Sequence, residues 1–453
     1  MTNGMADGTA GGGRNDARDG VCEVRDACGA GGRWEAEGAQ RRLECTRSSG
    51  DPVAREAAVA RAGLVRSIRE AGRLTDPRWR AAFEEVPRHL FVPHYFLNVL
   101  GGTYERLSAT DPDPRRRARW LAGAYADDAL GTWLRDGALV SSSSQPSLMA
   151  MMLEALRVED VTDRGGAGAD AYGCEVLEVG TGTGYNAALL AHRLGDERVT
   201  TIDVDEDITK AARERLAATG HRPVVVTGDG ALGCPSRAPF DRVVATCALP
   251  SVPPAWVEQC VPGGLILAPL ATGLIALRVA ERRGGTPRAE GRFLPTPVFF
   301  VPLRGEGADG RDGGVRAGTG AAGGAGRARR PDAGGGGGGG PGFGSDFGSG
   351  LRSASDGGAD VGSGGGSGVG SGGGSGRFRG GAPVYGLPRA ALRDGGFRFL
   401  LALAAGARSP TQVYELWRRE NRPARNRFGL TVEGDRQWVW LDDPGGPERW
   451  ALG

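Results

Sequence analysis

From residue 55 the chain alternates between short aliphatic runs and stretches whose apolar positions recur every three or four residues. Leu64, Val65 and Ile68 share one face of a helix that stops near Gly72, and Asp76-Pro77 followed by Trp79, Ala82 and Phe83 starts a second. Val86 to Pro93 is bounded by prolines and reads as extended. The polar, proline-broken run over 101–121 reads as an exposed loop, and a helix follows Pro146 with Leu148, Met151, Met152 and Leu156 on one face. Beyond residue 174 strands and helices alternate: a strand at Val176–Val179, a helix from Tyr185, a strand at Val199–Asp203, a helix over 206–218, then strands near 223–227, 240–247 and 265–268. Phe240 to Cys247 is nearly all apolar, as in a strand buried on both faces. This rhythm specifies an α/β fold with a doubly wound sheet. Residues 274–303 read as two or more further strands ending at Val298–Val301, and a helix near 410–420 precedes a hairpin over 427–441.

Composition divides the 453 residues unevenly, because a chain with 80 glycines cannot bury a core throughout. Residues 1–52, poor in large aliphatics, read as a disordered tail, and 53–303 as the main domain, with an N-terminal part over 53–163 and the sheet over 174–303. Residues 304–381, almost every second one glycine, read as a disordered linker, and 382–453 as a small α+β module. Four of the nine tryptophans fall in that module, for which internal packing is favoured over a peptide-binding face. The net charge of +2 gives no reason to expect nucleic acid or an anionic membrane as partner. The seven cysteines lack the paired spacing of a zinc site and the density of a secreted scaffold, and no run of about 18 apolar residues occurs. A soluble cytoplasmic protein without a metal is expected.

The candidate chemistry gathers at Glu178-Val-Gly180-Thr-Gly182-Thr-Gly184. Glycines between a strand and a helix permit positive φ and let a ligand lie against the main chain. A dinucleotide fingerprint needs a third glycine where this chain has Tyr185, so the spacing suits a cofactor without a pyrophosphate. Asp203 ends the next strand, where such folds hold ribose hydroxyls; capping of the following helix is the competing role, which Asp207 also suits. Asp229 and Gly230 stand after the third strand, beside the adenine edge of a ligand so placed. Ser141-Ser142-Ser143-Ser144-Gln145-Pro146 opens a helix, and Ser144 has two readings: an N-cap, or a contact to a substrate carboxylate at the positive helix end. Cys247 reads as a packed residue, and His89 and His94 lack a partner at a telling spacing.

The glycine pattern resembles the first motif of class I methyltransferases, which implies S-adenosylmethionine as cofactor with Glu178, Gly180, Gly182, Gly184, Asp203, Asp229 and Gly230 around it. Taken with Val86-Pro-Arg-His-Leu-Phe-Val-Pro93, Tyr125-Ala-Asp-Asp-Ala-Leu130, Ser144-Gln-Pro146, Ala238-Pro-Phe-Asp241 and Pro262-Gly-Gly264, it resembles the protein-L-isoaspartate O-methyltransferases over residues 60–303. The resemblance implies a Rossmann-like enzyme that methylates the carboxylate of an isoaspartyl residue in a protein or peptide and so leads to a succinimide. It also places Ser144 on the substrate side, beside Ser142, Ser143 and Gln145. Two features depart from it: the serine run stands where a Gln-Thr-Ile-like run is usual, and the C-terminal region is additional. Both resemble a branch found beside ribosomal peptide pathways in actinobacteria, whose members methylate an ordinary aspartate and form an aspartimide. A reading from another class is a protein that binds S-adenosylmethionine without turnover.

Overall fold

The computed structural model describes residues 52–99, 103–158, 173–280, 285–305 and 387–452. The expected disordered tail and glycine-rich linker lie almost wholly outside them. The N-terminal part runs α1 (Pro52–Glu70), α2 (Pro77–Glu85), α3 (Arg88–Phe91), β1 (His94–Val99), β2 (Thr103–Ser108), α4 (Pro114–Ala124), β3 (Leu130–Arg135), β4 (Ala138–Ser143) and α5 (Pro146–Ala155). The first two helices form as their apolar spacing predicts, with Leu64, Val65, Ile68, Trp79, Ala82 and Phe83 buried. Asp76 caps α2 by accepting from the N–H groups of Arg78 and Trp79.

Two expectations for this part are corrected. The proline-bounded segment before Pro93 contains a helical turn, α3, and the expected exposed loop over 101–121 holds β2 and α4. The polar residues there form a connected cluster: Arg116 and Arg119 pair with Glu105, Arg116 also with Asp111, while Asp113 caps α4. The helix has an inner face as well, where Trp120 is buried and donates its indole N–H to the Val92 carbonyl at 2.8 Å. The four strands form an antiparallel sheet in the order β2-β1-β3-β4.

The larger sheet begins with β5 (Val176–Val179), α6 (Tyr185–Leu194), β6 (Val199–Asp203), α7 (Glu206–Ala218), β7 (Val224–Thr227), β8 (Phe240–Ala245), α8 (Pro254–Glu258) and β9 (Cys260–Leu270). Its first five strands pair in parallel in the order β9-β8-β5-β6-β7, and the order reverses between β5 and β8, so a crevice opens beyond the carboxyl ends of those two strands. Every residue of β5 is buried, Glu178 included. Then come β10 (Gly273–Val279) and β11 (Arg288–Phe293), both antiparallel; Val298–Val301 forms no strand of its own, and an isolated bridge joins Pro302 to Ala248.

The C-terminal region has the expected mixture: α9 (Arg389–Arg393), α10 (Gly395–Leu403), α11 (Pro410–Arg419), β12 (Phe428–Glu433), β13 (Arg436–Leu441) and β14 (Arg449–Ala451). Its strands continue the main sheet, because β12 pairs antiparallel with β11 from Arg288↔Glu433 to Arg292↔Gly429, which brings the sheet to ten strands. Phe397, Phe399, Leu400, Trp417, Phe428 and Trp450 are buried there in one cluster with Phe293 of β11 and Ile275 of β10. Among the described residues no helix is long and apolar enough to cross a membrane.

Candidate functional site

The three glycines after β5 answer to two different physical needs. Gly180, Gly182 and Gly184 all have positive φ, at 100°, 52° and 87°. A Cβ on Gly180 would stand 2.7 Å from Thr246 Oγ1, and one on Gly184 would meet Leu216 and Ala212 of α7 at 3.3–3.4 Å. These two positions need glycine to let neighbouring elements approach. Only Gly182 turns its missing side chain toward the cleft, where a Cβ would lie 3.5 Å from both Ser141 Oγ and the Ser142 carbonyl. The cleft is lined from β5 and β6 by Val179, Gly180, Gly182, Ile202 and Asp203, and from β4 by Val140, Ser141 and Ser142. Gly230, Thr246, Cys247 and the segment Val301–Arg304 complete it.

Glu178 is not among the lining residues, and its expected contact with the cofactor is corrected. Its side chain is fully buried behind the turn, where Oε1 accepts from Asn186 at 2.7 Å and Oε2 from Thr201 at 2.7 Å. Burial pushes its pKa up to about 7, against the pull of those two donors. Glu178 thus ties α6 and β6 to β5 and shapes the turn from within.

Asp203 does face the cleft. Its Oδ2 accepts from the Gly182 N–H at 3.1 Å, which joins the ends of β5 and β6 through the glycine turn. Burial raises its pKa, opposed by the Gly182 and Asp205 N–H groups and by Arg304. The competing role, capping α7, belongs to a different residue: Asp205 accepts from the N–H groups of Asp207 and Ile208. Gly230 lines the cleft; Asp229 does not, since its Oδ1 accepts from the Ala231 N–H and its Oδ2 lies beside Gly305. Cys247 lines the cleft as a buried thiol whose pKa burial raises, so it is packed and protonated rather than poised for attack.

The link between β4 and α5 carries the remaining candidates. Ser144 does not cap the helix: the N-cap residue is Gln145, without a side-chain cap bond, and the Ser147 N–H is taken by Asp127 Oδ1 at 2.8 Å. Asp127 also accepts from the Gln145 side chain at 3.3 Å. Ser144 is half-buried and its carbonyl accepts from Arg88 at 3.2 Å. Ser143 is corrected as a substrate contact, because it is buried with its hydroxyl 3.5 Å from the Arg88 guanidinium. Ser142 reaches the cleft, as does Ser141, which the motif alone did not single out.

Reasoning from sequence also missed Arg88, Asp127 and Arg304. The first two stand within motifs that were noticed, but their partners lie 18 to 56 residues away, beyond the reach of local spacing. Arg304 ion-pairs with Asp203 at 3.5 Å and Asp205 at 3.3 Å. A ribose and an adenine fit this wall: bare backbone at Gly182, a carboxylate at Asp203 and apolar surface from Val179, Ile202 and Leu303.

Comparison with known proteins points to one family. The model of the protein-L-isoaspartate(D-aspartate) O-methyltransferase family matches residues 117–307. A protein-L-isoaspartate O-methyltransferase of Anaeromyxobacter sp. (strain Fw109-5) is 38% identical over 251 residues, 54% of this chain and 95% of that protein. One from Aeropyrum pernix is 33% identical over 251 residues, 54% of this chain and 80% of the relative. Among solved structures, a protein-L-isoaspartate O-methyltransferase superposes with a TM-score of 0.41 at 25% identity, covering 54% of this chain and 66% of the other. A putative one from Plasmodium falciparum in complex with S-adenosyl-L-homocysteine gives 0.38 at 13%, covering 53% and 97%. On the extent of the match to its relatives, the chain belongs to the protein-L-isoaspartate O-methyltransferase family and is a methyltransferase.

Proposed function

We propose that the chain transfers a methyl group from S-adenosylmethionine to the carboxylate of an isoaspartyl residue in a protein or peptide. The observation that carries this reading is the closeness of the two halves of the site. Ser141 and Ser142 of the acceptor side lie 3.5 Å from where a Gly182 Cβ would stand on the cofactor side, so both line one cleft.

S-adenosylmethionine supplies an electrophilic methyl on a sulfonium when bound. The acceptor is a carboxylate with an ordinary pKa near 4, already ionised at neutral pH, so the chain needs no strong base. Its residues position instead. Gly182 would offer bare backbone and Asp203 would accept from the ribose hydroxyls, while Ser144, beside the positive end of α5, would hold the acceptor carboxylate. With the acceptor oxygen already ionised, the chain's residues would have only to orient it toward the methyl donor and would have no proton to move. Orientation of such a pair contributes about 7–11 kcal/mol toward the barrier. In the ester the next residue's backbone nitrogen attacks the carbonyl, methanol leaves, and a succinimide remains, with no group of this chain required.

A second reading has an observation in its favour. The wall that turns the Ser141 hydroxyl and the Ser142 carbonyl toward Gly182 suits the extra amide groups around an ordinary aspartyl residue in a structured peptide, the acceptor used in aspartimide formation. The test is methyl transfer from labelled cofactor by the full chain to an isoaspartyl hexapeptide and to a cyclic aspartyl peptide. Transfer to the hexapeptide supports the first reading, transfer to the cyclic peptide alone supports the second, and cofactor binding with transfer to neither would leave a protein that binds without turnover.

A further inference from the structure

Arg88 is 0% exposed, yet its guanidinium is aimed at main-chain carbonyls rather than at a carboxylate. Nη1 donates to the Ala124 carbonyl at 2.8 Å and the Ala126 carbonyl at 3.2 Å; Nη2 donates to the Asp128 carbonyl at 3.1 Å and the Ser144 carbonyl at 3.2 Å. Ser143 Oγ lies 3.5 Å from Nη2, and Nε has no hydrogen-bond partner. Asp127 and Asp128 act on the cation only through space. A buried cation held this way is a poor device for stability alone, since well-packed apolar residues usually replace buried charges without loss. Its geometry has a more specific result.

The fork joins two segments that flank the N-terminal end of α5. The turn over 124–128 supplies Asp127, which takes the Ser147 N–H and the Gln145 side chain; the link after β4 supplies Ser144. The Ser144–Gln145 peptide is trans, so its N–H points opposite its carbonyl. With the carbonyl drawn inward to Arg88, the Gln145 N–H is turned away from the guanidinium, at the positive end of α5. The other end of α5 is held in the same manner, where the buried Arg242 donates to the Leu156 carbonyl at 2.5 Å and the Arg157 carbonyl at 2.6 Å.

We propose that Arg88 is a positioning residue for the methyl acceptor: its planar fork fixes the Ser144–Gln145 peptide so that the Ser144 hydroxyl and the Gln145 N–H converge on the acceptor carboxylate. This rests on the carboxylate-methylation reading above. Lysine retains the charge but lacks a planar fork that can reach carbonyls on two segments at once.

The test compares the full chain with its Arg88→Lys and Arg88→Met variants by three measurements. The affinity for S-adenosylhomocysteine is read by calorimetry, acceptor kinetics with an isoaspartyl hexapeptide, and backbone hydrogen exchange by segment. Positioning predicts that Arg88→Lys lowers kcat/KM for the peptide by about 30-fold, the size expected when hydrogen bonds to a charged group are lost. Affinity for S-adenosylhomocysteine should stay unchanged, and exchange should quicken over 143–148 but not over 176–184. A lysine variant with wild-type acceptor kinetics overturns the proposal, as does one whose cofactor affinity falls in step with its acceptor kinetics. If Arg88→Met fails to fold, Arg88→Lys is read alone, and a lysine variant that also fails assigns Arg88 to global stability and overturns it. If the unaltered chain methylates no peptide, the carboxylate reading fails separately; hydrogen exchange then decides, and loosening spread evenly over both segments counts against Arg88.

Discussion

Arg304 holds its guanidinium 3.5 Å from Asp203 Oδ1, inside the same cleft, so the carboxylate assigned to the ribose already has a cation beside it. S-adenosylmethionine carries one more positive charge than S-adenosylhomocysteine, and a cation in the cleft disfavours the first relative to the second. Two unit charges about 8 Å apart at an effective dielectric of about 20 interact by about 2 kcal/mol, which partial exposure and salt reduce. Arg304→Ala is therefore expected to improve the affinity for S-adenosylmethionine by about threefold to tenfold relative to S-adenosylhomocysteine. Calorimetry with both ligands measures the ratio, and an unchanged ratio would show that Arg304 is too well solvated to matter.

Asp203 and Asp205 stand two residues apart with separate tasks, one in the cleft and one on the first turn of α7. Asp203→Ala is expected to weaken S-adenosylhomocysteine by about 1.5–3 kcal/mol with little change in melting temperature. Asp205→Ala is expected to cost about 1 kcal/mol of stability, from the lost cap, with a smaller effect on binding. Measuring both quantities on both variants gives a crossed pattern; a parallel loss in the two would contradict the division.

Glu178 gives a stability that depends on pH. Its folded pKa, about 7, lies above the ordinary value of 4.5, so the folded state binds the proton more tightly than the unfolded chain. The contribution is fully present below about pH 4.5 and is lost as pH rises through about 7. Glu178→Gln removes this dependence and keeps both hydrogen bonds, because the Thr201 hydroxyl can accept from the new amide and donate to Thr181 at 2.8 Å. The stability of the variant relative to the unaltered chain should rise between pH 4.5 and 7 by up to about 3 kcal/mol and level off above. Denaturant titrations across that range check it, and a flat difference would mean that Glu178 is ionised throughout.

Gly182→Val places a branched side chain at φ 52°, pointed at the acceptor wall. Cofactor binding should be abolished while the fold survives, since the space beyond the Cβ is cleft rather than core. Native circular dichroism with undiminished affinity would remove Gly182 from the binding surface.

The sheet over 176–270 was legible because each strand and helix announces itself locally, through β-branched runs, glycine punctuation and helical spacing. The glycine turn and the place of Asp203 at the end of its strand followed from the same local order. What escaped was whatever depends on contacts across the fold. Glu178 looks like a ligand in its motif, yet Asn186 and Thr201 occupy both oxygens from outside that motif. The run over 101–121 looks like a loop because it is charged and broken by proline, whereas in the fold those charges pair with one another and the buried face of α4, Trp120, Leu121 and Ala124, is confined to its last turns. Ser143 follows strand alternation inward, which the motif Ser144-Gln145-Pro146 does not encode.

The pairing of β12 with β11 makes the long tract between residues 305 and 387 a tether between two neighbours in one sheet. Cutting the chain before residue 382 would strip β12 from β11 and leave an open edge beside buried Ala289 and Phe293, so such a truncation tests solubility before it tests recognition. Loop-closure entropy, by contrast, grows only with the logarithm of length, so halving the tract changes stability by about 0.6 kcal/mol. Interrupting it altogether should leave two pieces, 1–305 and 387–453, that reassemble when produced together. Recovery of one soluble complex with cofactor affinity intact is the expected outcome, and pieces that fail to associate would show that the tether supplies the effective concentration holding that edge closed.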